Sequence, residues 1–277
     1  MGRLRKTGGR SGAMAEFSTE RSVLEGCVRE AGALICRIAA DGFETAHKKN
    51  SDPVTTADLA ADGLLRAALP GVMPGSGWLS EETKDHPERL DRRFVWVVDP
   101  VDGTKEFVKG IPEFAVSVAL VEDGRAVLAA VYNPATDEIF SAVLGGGATL
   151  NGRRIRSQRH FRSRPVILAS RSEVARGEFA CFDRQAEVRQ VGSIAYKLAL
   201  VAAGRADATF SLGPKHEWDI AAGVLLVQEA GGTATDVSGG SFRFNQARPL
   251  VPSILAGTSS GYWPVKWLIE RCREPQL

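Results

Sequence analysis

Apolar side chains at Leu24, Cys27, Val28, Ala31, Leu34, Ile35 and Ile38 recur at steps of three and four. That spacing lays one apolar stripe along a long first helix. The polar stretch Lys48-Lys49-Asn50-Ser51-Asp52-Pro53 interrupts the pattern and reads as a loop. Thr55 and Asp58 stand three apart, a T-x-x-D arrangement that opens a second helix running to about Leu69. The period then shortens. Gly77-Trp78-Leu79-Ser80 is a short strand that runs out into Glu81 and Glu82, and Phe94-Val95-Trp96-Val97-Val98 is a buried strand that ends in Asp99. Apolar runs at 115–121, 127–131 and 139–143 are separated by Glu122-Asp123-Gly124 and Asn133-Pro134-Ala135, which predicts an antiparallel meander. Asn151-Gly152 marks a further hairpin.

Six arginines and one histidine crowd the stretch from Arg153 to Arg164, a composition shift that reads as a solvated boundary. Beyond it strands and helices alternate. Strands are predicted at 166–169, 208–210 and 254–256. Helices are predicted at 193–203, ending at Gly204, and at 218–230, stopped by Gly231-Gly232. A terminal helix carries Trp263, Val265 and Leu268. The Gly145-Gly146-Gly147 run opens no helix, so it is a turn rather than a nucleotide loop.

Composition narrows the classes. A net charge of +2 over 277 residues gives no argument for nucleic acid, and no apolar run is long enough to span a bilayer. Cys27, Cys36, Cys181 and Cys272 form no C-x-x-C pair, so a disulfide framework is not expected and a reducing cytoplasm fits best. Residues 1–15 hold Arg3, Arg5, Lys6 and Arg10 with no acid before Glu16, and read as a disordered basic tail.

The chemistry concentrates in Asp99-Pro100-Val101-Asp102-Gly103-Thr104. Two carboxylates leave the end of a buried strand, and Mg2+ takes oxygen ligands, usually one or two carboxylates plus substrate phosphate. The backbone between them can turn a carbonyl inward, and Gly103 and Thr104 offer backbone N–H groups and a hydroxyl to a phosphate. Asp58, Glu81 and Asp219 also lie at element ends. Singly, each has an ordinary reading. Asp58 and Asp219 suit the first turn of a helix, Glu81-Glu82 a solvated loop, and Asp99-Pro100 a turn.

Together, Pro53-Val54-Thr55-Thr56-Ala57-Asp58, Ser80-Glu81-Glu82, Asp99-Pro-Val-Asp-Gly-Thr104 and Trp218-Asp219-Ile-Ala-Ala-Gly223 resemble, in order and rough spacing, the four signature segments of the inositol monophosphatase superfamily. The resemblance implies an αβαβα layered α/β sandwich of the sugar-phosphatase type. Residues 16–160 would form an α+β domain that binds metal and phosphate, and residues 161–277 an α/β domain that recognises substrate. It implies a phosphomonoesterase using two or three Mg2+ ions, with Mn2+ as an alternative and Li+ as an inhibitor. It also implies a small phosphorylated substrate. Many members of the superfamily are homodimers, but nothing in this sequence identifies an interface, and charge and hydropathy argue for no nucleic-acid or membrane partner.

Carried over by position, Glu81, Asp99 and the Val101 carbonyl would bind one Mg2+, and Asp99, Asp102 and Asp219 a second. Glu81 and Thr104 would position the attacking water, with Asp58 orienting Thr104. Gly103 and Thr104 would cradle the phosphate, and Gly192, Ser193 and Ile194 would line the pocket for the organic half of the substrate.

The residues after Gly-Thr separate branches of the superfamily. Lys105-Glu106-Phe107 resembles the 3'(2'),5'-bisphosphate nucleotidases, which act on adenosine 3',5'-bisphosphate (PAP). Leu212 stands where inositol phosphatases carry a hydroxyl-binding Glu. Lys197, one helical turn beyond Ser193, is either a cation for a second phosphate or a solvated lysine. Lys105 either contacts phosphate or pairs with Glu106. Tyr196 is a core residue or a stacking ring, and His216 a loop residue or a catalytic one. An inositol or histidinol phosphatase stays within the same chemistry. A non-catalytic metal or nucleotide binder is the contrasting class, and the five intact residues Glu81, Asp99, Asp102, Thr104 and Asp219 argue against it. Neither a P-loop nor a dinucleotide-binding G-x-G-x-x-G motif is present.

Overall fold

A computed structural model describes residues 17–48, 52–158 and 163–273. The basic tail at 1–15 and part of the arginine-rich boundary lie outside the described residues. The first helix, α1, spans Ser18–Asp41. Strands β1 (Thr45–His47) and β2 (Pro53–Thr55) pair as a hairpin where the polarity alone suggested a loop. The T-x-x-D pattern closes a capping box at the start of α2 (Thr56–Val72).

Seven strands follow in chain order: β3 (Gly77–Ser80), β4 (Phe94–Asp102), β5 (Ala115–Glu122), β6 (Arg125–Asn133), β7 (Glu138–Val143), β8 (Gly147–Leu150) and β9 (Arg153–Arg154). They form one sheet in that order, with β3 parallel to β4 and the others antiparallel. A short helix α3 (Thr104–Val108) follows β4. The glycine run turns β7 into β8, and the Glu229 carboxylate accepts from Gly145 N and Gly147 N at 2.9 Å each.

The second sheet is built from β10 (Val166–Ala169), β11 (Glu187–Gln190), β12 (Ala208–Ser211), β14 (Thr233–Thr235) and β16 (Ile254–Gly257), in the order β11-β10-β12-β16-β14. A two-stranded ribbon pairs β13 (Lys215–His216) with β15 (Leu250–Val251). The helices of this half are α4 (Arg171–Ala175), α5 (Ile194–Ala202), α6 (Glu217–Glu229) and α7 (Tyr262–Arg273).

Side-chain parity assigns the layers. Along β4, Trp96 and Val98 pack with α1 and α2, while Val95 and Val97 pack with α5 and α6. Along β10, Val166 and Leu168 face α5 and α6 from the other side, while Ile167 and Ala169 join α7. The stack therefore runs helix, sheet, helix, sheet, helix, as the sequence resemblance implied. Helix α5 is buried along its whole length because sheets cover both of its faces.

One expectation fails. Cys181, in the turn Ala180–Phe182, and Cys272 on α7 form a disulfide with Cα atoms 6.1 Å apart. The partners are 91 residues apart, and no local spacing announces the pair. The argument for a reducing compartment loses the premise of unpaired cysteines. Cys27 and Cys36 are free thiols. No helix among the described residues is long and apolar enough to cross a membrane.

Candidate active site

Parity also places the chemistry. Asp99 shares the face of Val95 and Val97, so it points toward α6, whose first turn carries Asp219. The β4–β5 register shifts between Asp99 and Asp102, and this bulge re-aims the end of the strand. Glu81 follows β3, parallel to β4, and its N–H donates to the Val98 carbonyl at 3.2 Å. These placements bring ligand oxygens of Glu81, Asp99 and Asp219 within 4.8 Å of one another.

Each acid is held by donors. Asp99 Oδ1 accepts from Val101 N at 3.0 Å. Asp219 Oδ2 accepts from His216 N at 2.8 Å. Asp102 lies beside the trio, and its Oδ2 accepts from Ser193 Oγ at 2.5 Å and Ala195 N at 2.6 Å. Burial and then the neighbouring carboxylates Glu81, Asp102 and Asp219 push the Asp99 carboxyl well above its usual range. Burial, Asp102 and Glu81 do the same to Asp219. Burial pushes Asp102 up to about 6 against the pull of its bonds from Ser193 and Ala195. Such crowding of oxygen-only donors fits a hard divalent cation, which would replace mutual repulsion with attraction.

Behind the trio, Asp58 is fully buried. Its Oδ2 accepts from Thr55 N at 2.8 Å and Thr55 Oγ1 at 2.5 Å. Its Oδ1 lies 2.9 Å from Thr104 Oγ1, which is also 3.0 Å from the Val101 carbonyl. Burial raises the Asp58 carboxyl although the Thr55 and Thr104 bonds favour its charge. Gly103 has φ +95°, and a Cβ there would sit 2.9 Å from the Glu113 carbonyl, so both conformation and space demand glycine.

A cleft of about 490 Å³ opens over these groups. Glu81, Asp99, Val101, Asp102, Gly103 and Thr104 line it, with Lys105, Gly192, Ser193, Ile194, Lys197 and Asp219 around the rest. Asp58 stands behind the wall. The Lys105 ammonium donates to Asp52 at 2.6 Å, not to Glu106. Leu212 does not line the cleft; it packs against the core beneath α7. Tyr196 is a core residue whose hydroxyl donates to Glu138 at 2.6 Å. The His216 ring is stacked on Trp218 at 4.3 Å and lies outside the cleft lining.

The second sheet supplies residues that the sequence did not single out. Arg171 and Glu173 from α4 and Lys215 from β13 join the lining. Lys197 is 2% exposed, with Nζ 3.8 Å from Glu173 Oε2 and within hydrogen-bond distance of no acceptor among the described residues. Lys215 Nζ lies 3.7 Å from Glu173 Oε1. Burial opposes the charge on Glu173, but Lys197, Ser170, Ser211 and Lys215 outweigh it and hold the carboxyl at about 2. Burial pulls the Lys197 ammonium down while Glu173 supports it. On the opposite rim Lys48 bridges Glu81 at 2.7 Å and Glu82 at 2.6 Å.

The Inositol monophosphatase family pattern matches residues 18–264. The chain belongs to that family. It is 39% identical over 230 residues to an inositol-1-monophosphatase of Rhizobium meliloti strain 1021, covering 79% of this chain and 86% of that one. The crystal structure of extragenic suppressor protein suhB from Bartonella henselae matches with a TM-score of 0.79 and 32% identity, covering 94% of this chain and 100% of that one. CysQ from Bacteroides thetaiotaomicron, a bacterial member of the inositol monophosphatase family, matches with a TM-score of 0.76 and 28% identity over 88% and 98% of the two chains. Family membership makes the protein a Mg2+-dependent phosphoric monoester hydrolase, and the acidic trio fits that metal.

Proposed function

We propose that the protein is a 3'(2'),5'-bisphosphate nucleotidase that converts PAP to AMP and phosphate. One observation carries this reading. Lys197 presents to the same cleft as the acids a buried ammonium with no hydrogen-bonded acceptor among the described residues, and its nearest carboxylate, Glu173, also faces Lys215. An ammonium that faces the cleft without a hydrogen-bonded acceptor among the described residues suits an anionic group other than the phosphate being cleaved.

In this reading Glu81, Asp99 and the Val101 carbonyl would hold one Mg2+, and Asp99, Asp102 and Asp219 a second. Bound there, Mg2+ supplies charge neutralisation at the phosphate and lowers the pKa of a bound water. The chain's own groups do the rest. Asp58 accepts from the Thr104 hydroxyl and so leaves a Thr104 lone pair to accept from the attacking water, which Glu81 also orients. Gly103 and Thr104 N–H groups hold phosphate oxygens, while Gly192, Ser193 and Ile194 face the organic half.

Phosphate release from PAP, inositol 1-phosphate and histidinol phosphate, at equal concentration with Mg2+ and an EDTA control, tests the assignment. Preference for PAP is expected. Preference for inositol 1-phosphate would establish the second reading, inositol monophosphatase, which the name of the Rhizobium meliloti relative favours. Release from none of the three would move the protein to the non-catalytic class.

A further inference from the structure

A second hollow lies away from the cleft, between α7 and the loops before β10 and β11. Its volume is about 580 Å³. Pro165, Pro264, Leu268 and Trp267 give it apolar walls, and Arg164, Arg184 and Arg271 stand around them. Two large apolar side chains of α7 are exposed, Trp263 at 67% and Trp267 at 53%, and Trp267 lines the hollow. None of these residues lines the cleft.

We infer that this hollow docks an acidic segment of a partner protein through an aromatic or aliphatic anchor. Exposed tryptophans beside arginines are the residue types that dominate binding energy at protein interfaces. Charge sets the sign of the partner. Arg164 spends one nitrogen on the Asp183 and Ala186 carbonyls, at 2.7 and 2.8 Å. The Arg271 guanidinium lies over the Trp267 ring at 4.8 Å, which stiffens both. The carboxylate in the lining, Asp207, is buried, and its Oδ2 accepts from Val166 N at 2.7 Å. The rim therefore keeps an excess of positive charge.

Other occupants fit less well. The chain's own N-terminal tail is basic, with Arg3, Arg5, Lys6 and Arg10, and carries the wrong sign. A second copy joined by a two-fold axis through this face would set arginine against arginine. Single-stranded nucleic acid tracks an extended groove and stacks its bases on open aromatic faces. Here the site is a compact hollow with a carboxylate in its lining, and Arg271 covers one face of Trp267. The disulfide from Cys181 to Cys272 ties the strand-side wall to α7, so the hollow is preorganised.

The test is selection of random peptides displayed on phage against the full chain, with counter-selection on Trp267→Ala/Arg271→Glu. Both side chains are exposed, so the variant is expected to fold and to keep wild-type phosphate release. The enriched pool should place Asp and Glu around an aromatic or aliphatic residue. A synthetic peptide of the consensus should bind with about micromolar Kd, lose at least about tenfold in affinity to either single substitution, and weaken with salt. A consensus without acids, equal enrichment on both proteins, or tighter binding of a labelled oligouridylate to the wild-type hollow would each overturn the inference.

Discussion

The two walls of the cleft carry opposite charge and are held by different physics. The first sheet's wall crowds Glu81, Asp99, Asp102 and the nearby Asp219 together, each with only one or two donors. Burial and mutual repulsion raise Asp99 and Asp219, so this wall is unstable as a set of charges until a cation joins it. The second sheet's wall needs no added ion. Glu173 sits between Lys197 and Lys215, and its ionised form is favoured although buried. One wall is a set of oxygen ligands that fits a metal; the other is a standing ion cluster in which Glu173 is paired with two lysines.

The comparison breaks most completely at Asp99. Asp99→Asn should lower phosphate release at least about a thousandfold, roughly 4 kcal/mol of barrier. The same change should raise the thermal midpoint without Mg2+, because it relieves acid–acid crowding. Phosphate release and circular dichroism melting with and without Mg2+ measure both. Near-normal turnover would remove the acidic wall from the chemistry.

On the basic wall, Glu173 dominates stability. Its folded carboxyl lies at about 2 and an unfolded one near 4.5, so the folded state is favoured by about 3 kcal/mol at neutral pH. The sign is that of a depressed acid. The stabilisation is complete above the unfolded value and is lost as pH falls from there through the folded one. Urea unfolding of wild type and Glu173→Gln across that window should show a gap at neutral pH that closes toward pH 2. A gap independent of pH would show that packing rather than charge is at work.

Lys197→Met gives the next smaller effect and separates substrates. Removing a charge-assisted bond costs about 2 kcal/mol, roughly thirtyfold in kcat/KM. That loss should fall on PAP and spare inositol 1-phosphate. An equal loss on both would take Lys197 out of the second-anion role and favour the inositol reading.

The two walls also differ in how far the sequence discloses them. The acidic wall comes from short segments whose roles are local. Thr55 and Asp58 cap one helix, Asp99 and Asp102 end one strand, and Asp219 opens another helix. Strand and helix periodicity was enough to order most elements and both sheets' main strands. Glu173, Lys215 and Arg171 carry no motif, because their meaning arises only when α4 and β13 line the same cleft as the end of β4. Lys48 was hidden in a polar stretch that pairs as a hairpin, and the disulfide in a 91-residue gap. Leu212 shows the converse. Its position suggested a pocket contact, yet its side chain joins the core beneath α7.

Glu113 joins the two walls, and its loss is the smallest effect expected. Its Oε2 accepts from Arg171 Nη1 at 2.5 Å and from Gly192 N at 2.7 Å. The next residue, Ser193, holds φ at +57°, a conformation that costs a non-glycine residue free energy and persists only when its surroundings fix it. From there Ser193 Oγ and Ala195 N reach Asp102. Glu113 thus acts as a positioning residue: it anchors the turn that orients a carboxylate on the opposite wall. Glu113→Gln keeps the shape and weakens both bonds, which should cost about 1 kcal/mol, roughly fivefold in Mg2+ affinity by calorimetry. Glu113→Ala should cost more, with kcat at saturating Mg2+ falling far less than apparent metal affinity. A Gln variant with wild-type Mg2+ affinity beside an Ala variant that is merely less stable would reduce Glu113 to a structural clamp and leave the walls independent.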